Sequence, residues 1–288
     1  MKLDRSIVGN TPLIKIRNGI YGKLETYNPT GSVKDRVVYY LVKKAISSGD
    51  IKKGTILCEA TSGNTGISLS SIAAYHGLKC KIFMPSNMSE ERKDMMKFFG
   101  AEITESSPND FIEAIDMRDD FIKENNAWTP NQFSNLENIN CHQSTTAPEI
   151  HADAKKTGIS WSAFVHGSGT GGTIEGVRRY INSAKMNTKI CMVQPKEEIH
   201  GIQGIGDGKD FLANPEDMDF TIKISTEDAI NRAKAFAKET GILVGISSGA
   251  NILASEILKK ENISGDIITM LCDRGERYMS IYRNETAF

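Results

Sequence analysis

The sequence predicts an α/β fold built from two open, twisted, mostly parallel sheets with helices on both faces. Three observations lead there. Short apolar runs rich in Ile, Val, Phe and Leu alternate with helical patterns of ten to fifteen residues along most of the chain. Gly or Pro closes nearly every run. Three of the strand-like runs open directly into loops of Gly, Ser and Thr. Strands that alternate with helices form parallel sheets covered by helices, and open sheets of this kind bind ligands beyond the carboxyl ends of their strands. At 288 residues the chain is long enough for two such lobes.

Taken in order, residues 4–26 hold two short strands, around Ile14 and Leu24. A helix over 33–47 follows a turn made by Pro29 and Gly31, with Ser32 as its expected N-cap. The alternation then settles: strand 55–60, helix 65–75 stopped by Gly77, strand 79–84 closed by Pro85, and helix 89–99 stopped by Gly100. Strand 101–104 and helix 110–124 complete this run. The polar stretch 129–140 carries no clear period. Beyond it come helix 145–156 with Pro148 in its first turn, strand 163–166, helix 173–182 and strand 189–193. A glycine-rich loop at 201–208 leads to strand 221–224, helix 226–239, strand 243–246, helix 249–259 and strand 267–271. The two runs join near residue 130. The expected lobes are therefore a smaller one over 28–130 and a larger one made of 1–27 and 131–288, with no linker between them.

Composition narrows the function. The sequence is 39% hydrophobic and 25% charged, with a net charge of −1. It has no basic cluster interleaved with aromatics, so nucleic acid is not an expected partner. No apolar run approaches the roughly 18 residues that span a bilayer, so no membrane is expected either. The first residues lack the apolar core of a signal peptide, which predicts a cytoplasmic protein. There are five cysteines, none spaced as CxxC, and four lie in strand-like runs. They read as small buried apolar residues of a reducing compartment. No metal site is expected.

The candidate chemistry centres on Lys34. It stands in the first turn of the helix after Asn28-Pro29-Thr30-Gly31-Ser32-Val33. The positive end of the helix dipole and adjacent Arg36 both favour a neutral amine there. A neutral amine attacks an aldehyde, so Lys34 is a candidate Schiff-base lysine; as an isolated feature it equally fits a solvated surface residue. The loop Thr61-Ser62-Gly63-Asn64-Thr65-Gly66 offers hydroxyls and amides at a helix start, suited to a carboxylate. The loop Gly167-Ser168-Gly169-Thr170-Gly171-Gly172-Thr173 suits a phosphate. It also satisfies GxGxxG through Gly167, Gly169 and Gly172, which leaves a nicotinamide dinucleotide open. The acidic residues that would bind a ribose, Glu197 and Glu198, follow Pro195 rather than end a strand. The third loop, Gly245-Ile246-Ser247-Ser248-Gly249, caps a helix or contacts a ligand. A Schiff-base lysine, a carboxylate loop and a phosphate loop together describe a pyridoxal 5′-phosphate enzyme acting on an amino acid.

These same segments, in this order, resemble the cysteine synthase (O-acetylserine sulfhydrylase) and cystathionine β-synthase family of fold-type-II pyridoxal phosphate enzymes. The resemblance runs from about Ile7 to Ser280. Met88-Ser89-Glu90-Glu91-Arg92 and Cys272-Asp273-Arg274-Gly275-Glu276-Arg277-Tyr278 lean toward the B-type isozyme; Gly204-Ile205-Gly206 leans toward the A-type. The resemblance implies a tryptophan-synthase-β-like fold, a mobile substrate-binding smaller lobe and a homodimer. It further implies that Lys34 holds the cofactor and abstracts the α-proton, and that Asn64 bonds the cofactor's 3′ oxygen. Thr61, Ser62, Thr65 and Gln132 would bind the substrate carboxylate. Gly169, Thr170, Gly171, Gly172 and Thr173 would cradle the phosphate, and Ser247 would face the pyridine nitrogen. A serine cannot hold a proton on that nitrogen as an aspartate does. The ring is then a weaker electron sink, which favours prompt loss of a β-substituent, through an α-aminoacrylate, over transamination.

The implied reaction is β-replacement, with O-acetylserine and sulfide giving cysteine and acetate. One residue departs from the family pattern: Asp207 stands where a small neutral residue is usual. A carboxylate there would repel sulfide and orient water. That favours an alternative in which cysteine is consumed, sulfide leaves, and water or another thiol is added. Equally, Asp207 reads as an outward turn residue. Serine or threonine deamination, nicotinamide-dependent dehydrogenation and a silent binding subunit complete the alternatives. The chain stops soon after its last strand, so no regulatory domain is expected.

Overall fold

The structure, a computed structural model, describes residues 7–206, 212–261 and 263–283. They fall into two compact units, one of Asn28–Asn135 with residues 7 and 8, the other of Gly9–Tyr27 with the described residues from Leu136 onward. The opening strands β1 (Leu13–Arg17) and β2 (Ile20–Leu24) belong to the second unit.

The first unit is built on four parallel strands. Helix α1 (Lys34–Ser48) precedes β3 (Ile56–Ala60), and α2 (Asn64–His76) precedes β4 (Cys80–Pro85). Helix α3 (Glu90–Phe98), β5 (Glu102–Ser106), α4 (Phe111–Glu124) and the short β6 (Ala127–Trp128) complete it. The strand order is β5-β4-β3-β6, and every pairing is parallel. Side chains alternate across a strand, and both faces are apolar. Leu57, Ile82 and Met84 pack with Val38 and Val42 of α1 and Ile67 and Ile72 of α2. Cys58, Ala60 and Phe83 pack with Ala114 of α4. A strand buried on both faces reads as a near-continuous apolar run, and 56–60 and 80–85 appear so apart from Glu59 and Lys81.

In the second unit, α5 (Glu137–Cys141) runs through a π-helical turn (His142–Thr146) into α6 (Ala147–Thr157). Then come β7 (Trp161–Gly167), α7 (Gly172–Ser183), β8 (Lys189–Pro195), β9 (Phe220–Ile224), α8 (Thr226–Thr240), α9 (Ile246–Lys260), β10 (Asp266–Leu271) and α10 (Met279–Arg283). The sheet order is β1-β2-β10-β7-β8-β9. Among the described strands of this sheet, only the β1–β2 pair is antiparallel. Ala163 and Val165 of β7 share a core with Ala250, Ala254 and Leu258 of α9, and α7 also packs on β7 and β8.

Three expectations change. The run 243–246 is not a strand: Val244 makes one isolated antiparallel bridge to Arg274, and Ile246 opens α9. Its apolar residues are buried by helix packing, which periodicity over four residues cannot separate from a strand. Ser32 is not the N-cap of α1. Val33 holds that position with helical dihedrals, and the Ser32 hydroxyl instead accepts from the Lys34 amide at 3.3 Å. Finally, the polar stretch 129–140 ends inside α5, where Asn138 is buried and donates to the Thr170 hydroxyl.

Candidate active site

In the first unit, Lys34 is the first residue of α1 and is half-buried. The turn before it is fixed by Asp35, whose carboxylate accepts from the Thr30 amide (2.7 Å), the Thr30 hydroxyl (2.5 Å) and the Ser68 hydroxyl of α2 (2.6 Å). Gly31 has φ +83°, a left-handed conformation that a side chain would resist. The lysine is thus presented from a rigid start of a helix, pinned to the neighbouring helix through one buried carboxylate.

The loop after β3 leads into α2 through Gly63, at φ +154°. A Cβ there would collide with the Arg92 side chain. The Thr61 hydroxyl accepts from the Gly63 amide at 3.1 Å, which keeps the loop tight, and Asn64 starts the helix half-exposed. Gln132 returns to this loop from far along the chain. Its Oε1 accepts from the Thr65 hydroxyl at 2.6 Å, and its Nε2 lies 3.5 Å from the Ala60 carbonyl. Because Thr65 donates to the oxygen, the amide NH2 is the end left to donate, the correct polarity for a carboxylate.

In the second unit, the loop after β7 enters α7. A Cβ on Gly169 would collide with the Gly204 carbonyl, and one on Gly172 with the Asn138 amide; Gly171 has φ +86° and the Ala213 backbone beside it. Side chains are therefore excluded at Gly169, Gly171 and Gly172, which leaves backbone amides at the positive end of a twelve-residue helix. Asn138 donates to the Thr170 hydroxyl at 3.0 Å. His142 in the π-turn reaches the Thr173 hydroxyl at 3.1 Å through Nε2 and Thr146 at 2.8 Å through Nδ1. Ser168 Oγ is buried with no hydrogen-bond partner among the described residues. Glycines, hydroxyls and a helix N-terminus form a donor set that fits a phosphate group.

Ser247 lies buried in the first turn of α9. That helix start sits at the carboxyl ends of β7 and β10. The Asn251 side chain accepts from the Gly167 amide at 2.8 Å, and the Ser248 hydroxyl accepts from the Cys272 amide at 2.9 Å. The glycine loop and Ser247 therefore share one end of the six-stranded sheet, as ligand-binding loops of open sheets do. Asp207 lies outside the described residues.

Sequence reasoning did not find Asn138, His142, Glu59 or Arg118 as supports of these loops. Asn138, His142 and Thr146 recur every fourth residue, a helical signal hidden by their polarity. Among the described residues no group of His, Cys, Asp and Glu is arranged to hold a metal, and no helix is long and apolar enough to cross a membrane.

Comparison with known proteins agrees with this chemistry. Residues 5–273 match the family described as "Pyridoxal-phosphate dependent enzyme". Cysteine synthase B of Campylobacter jejuni is 40% identical over 291 residues, covering 95% of each chain. A hydrogen sulfide-producing enzyme from Fusobacterium nucleatum is 36% identical and superposes with a TM-score of 0.89, over 98% of this chain and 91% of that one. An O-acetylserine-dependent cystathionine β-synthase from Helicobacter pylori is 31% identical, with a TM-score of 0.88 over 96% of each chain.

Proposed function

The chain belongs to the cysteine synthase family of pyridoxal-phosphate-dependent enzymes, and from that premise we propose that it makes cysteine from O-acetylserine and sulfide, releasing acetate. Pyridoxal phosphate is the cofactor and β-replacement on an amino acid the reaction class. The observation that carries the reading is the match to a cysteine synthase at 40% identity over nearly the whole chain. The phosphate-suited glycine loop supports it independently. With the family match extending across Gly167, Gly169 and Gly172, the dinucleotide reading of their spacing is set aside.

When bound, the cofactor supplies the electron sink that lets an amino acid lose its α-proton and β-substituent. The residues divide the remaining work. Lys34 would be the residue that holds the cofactor's aldehyde carbon, and its amine would be the base placed to take the α-proton. Thr61, Ser62, Thr65 and Gln132 orient the substrate carboxylate, which sets the Cα–H bond toward that amine. Gly169 to Thr173 would hold the phosphate and Asn64 the 3′ oxygen, and the Ser247 hydroxyl would donate one hydrogen bond to the pyridine nitrogen without charging it. We assign the protein to the cytoplasm and to a homodimer.

A second reading is kept because of one neighbour. The Fusobacterium enzyme is described as hydrogen sulfide-producing, and an aspartate-to-asparagine mutant of it is described in complex with an α-aminoacrylate intermediate. Asp207, the residue that departs from the family pattern, would suit a reaction in which cysteine and water give serine and sulfide. Product assays decide between the two. The holoenzyme is given O-acetylserine with sulfide in one arm and cysteine alone in the other. Fast cysteine formation with slow sulfide release supports the synthase; the reverse supports the sulfide producer and predicts that Asp207→Asn removes it. Absence of turnover in both arms, with cofactor bound, would sink the reading.

A further inference from the structure

Below the carboxylate loop of the first unit lies a buried ion pair that the proposed chemistry does not use. Glu59, fully buried at the carboxyl end of β3, is 2.8 Å from the Arg118 guanidinium of α4. Its Oε1 also accepts from the Ala60 amide at 2.9 Å, and its Oε2 accepts from the Gln132 amide at 3.2 Å. Arg118 is anchored on its other side by Asp119, at 2.8 Å through Nε.

We propose that Glu59 and Arg118 are positioning residues for amino-acid binding: the pair fixes the backbone of Gln132, and so the reach of its amide, against the carboxylate loop. This deepens the proposed function and rests on its assignment of Gln132. The reasoning is local. Gln132 follows Asn131, which has a left-handed φ of +47°, and it lies in a stretch without regular structure. Its attachments include its amide on Glu59 and its Nε2 near the Ala60 carbonyl, both at the end of β3, and its Oε1 on Thr65 in the first turn of α2. Of these, the Glu59 contact alone holds the main chain. Burial pushes the Glu59 carboxyl above the usual carboxylate range, while Arg118 and the two amides pull it back. A buried pair of this kind contributes little net stability against apolar residues of similar size. Its directional contacts make it suited to fixing geometry.

The test uses holoenzyme and reads amino-acid affinity from the change in cofactor absorbance, alongside the thermal melt, KM and kcat. A Glu59→Leu/Arg118→Leu double variant removes both charges together, leaving no buried charge unpaired, though the Ala60 and Gln132 amides lose their carboxylate acceptor. It is expected to melt lower than the parent and to bind amino acid about tenfold more weakly, with KM raised and kcat nearly kept. Adding Gln132→Ala to it should weaken binding no further. Arg118→Lys, which restores a charge for Glu59, should recover most of the affinity that Arg118→Met loses, and this comparison stands if the double variant does not fold. Parent-like affinity in the double variant, or equal affinity in Arg118→Lys and Arg118→Met, overturns the proposal. If Gln132→Ala alone leaves affinity unchanged, the assignment of Gln132 under the proposed function is what fails.

Discussion

The role proposed for Lys34 rests on where its backbone is held. Asp35 pins the preceding turn with two hydrogen bonds from Thr30 and ties it to α2 with a third from Ser68, so the amine is presented from a fixed point. Lys34→Ala should lose the visible cofactor band and slow turnover by about a thousandfold, the scale of a lost general base; parent-like turnover in the variant would refute the assignment. The cysteines behave oppositely. All five are free and buried, and burial pushes the thiols of Cys58, Cys80 and Cys191 up to about 12. At pH 8 only about one in ten thousand of these groups is a thiolate, and the thiolate is the reactive form. A disulfide reagent such as DTNB should therefore find no fast thiol among these three in folded protein and react with them on unfolding. Cysteines in strand-like runs of the sequence already pointed this way. Nothing in the sequence showed that Glu59 would meet Arg118, 59 residues away, because that pairing depends on how α4 lies on the sheet.

Helix α7 shows how an element carries both ends of an argument. Its first turn closes the glycine loop proposed for the phosphate, where Gly172 leaves room for Asn138. Gly172→Ala should cost about 1–3 kcal/mol by overpacking and reduce cofactor retention, measured by melting and by absorbance after dialysis; unchanged retention would count against the loop's role. Further along, burial pushes the Glu175 carboxyl up, but hydrogen bonds from Arg178 and Arg179 outweigh it and hold the group below the usual range. A lowered folded value favours the charged form. Its contribution to stability is thus present above the ordinary value of 4.5 and lost as the pH falls through the lower folded value. Glu175→Gln should cost about 1 kcal/mol at neutral pH, and the gap between parent and variant should close in acid melts. Most elements were legible because strands buried on both faces and Gly-stopped helices leave strong patterns. The exceptions have physical causes: α9 begins with the apolar Ile246 that resembles a strand, and α5 with its π-turn is polar because its side chains serve buried partners.

For the whole molecule, a cofactor that binds only the folded chain stabilises it by mass action. With pyridoxal phosphate at about one hundred times its dissociation constant the gain is about 2.7 kcal/mol. The melt should rise by several degrees on reconstitution, and an unshifted melt would contradict specific binding. The sequence by itself determined the α/β class, the lysine at a helix start, the three glycine–hydroxyl loops and the family they resemble. Each of these is a local pattern, written in residues close together along the chain. The tertiary structure decided that residues 131–135 join the first unit, that Gln132 docks on Glu59 and Thr65, and that Asn138 and His142 stand behind the phosphate loop. These contacts join residues 31 to 73 positions apart, and no local pattern records them, because they exist only once the sheets have placed their strand ends.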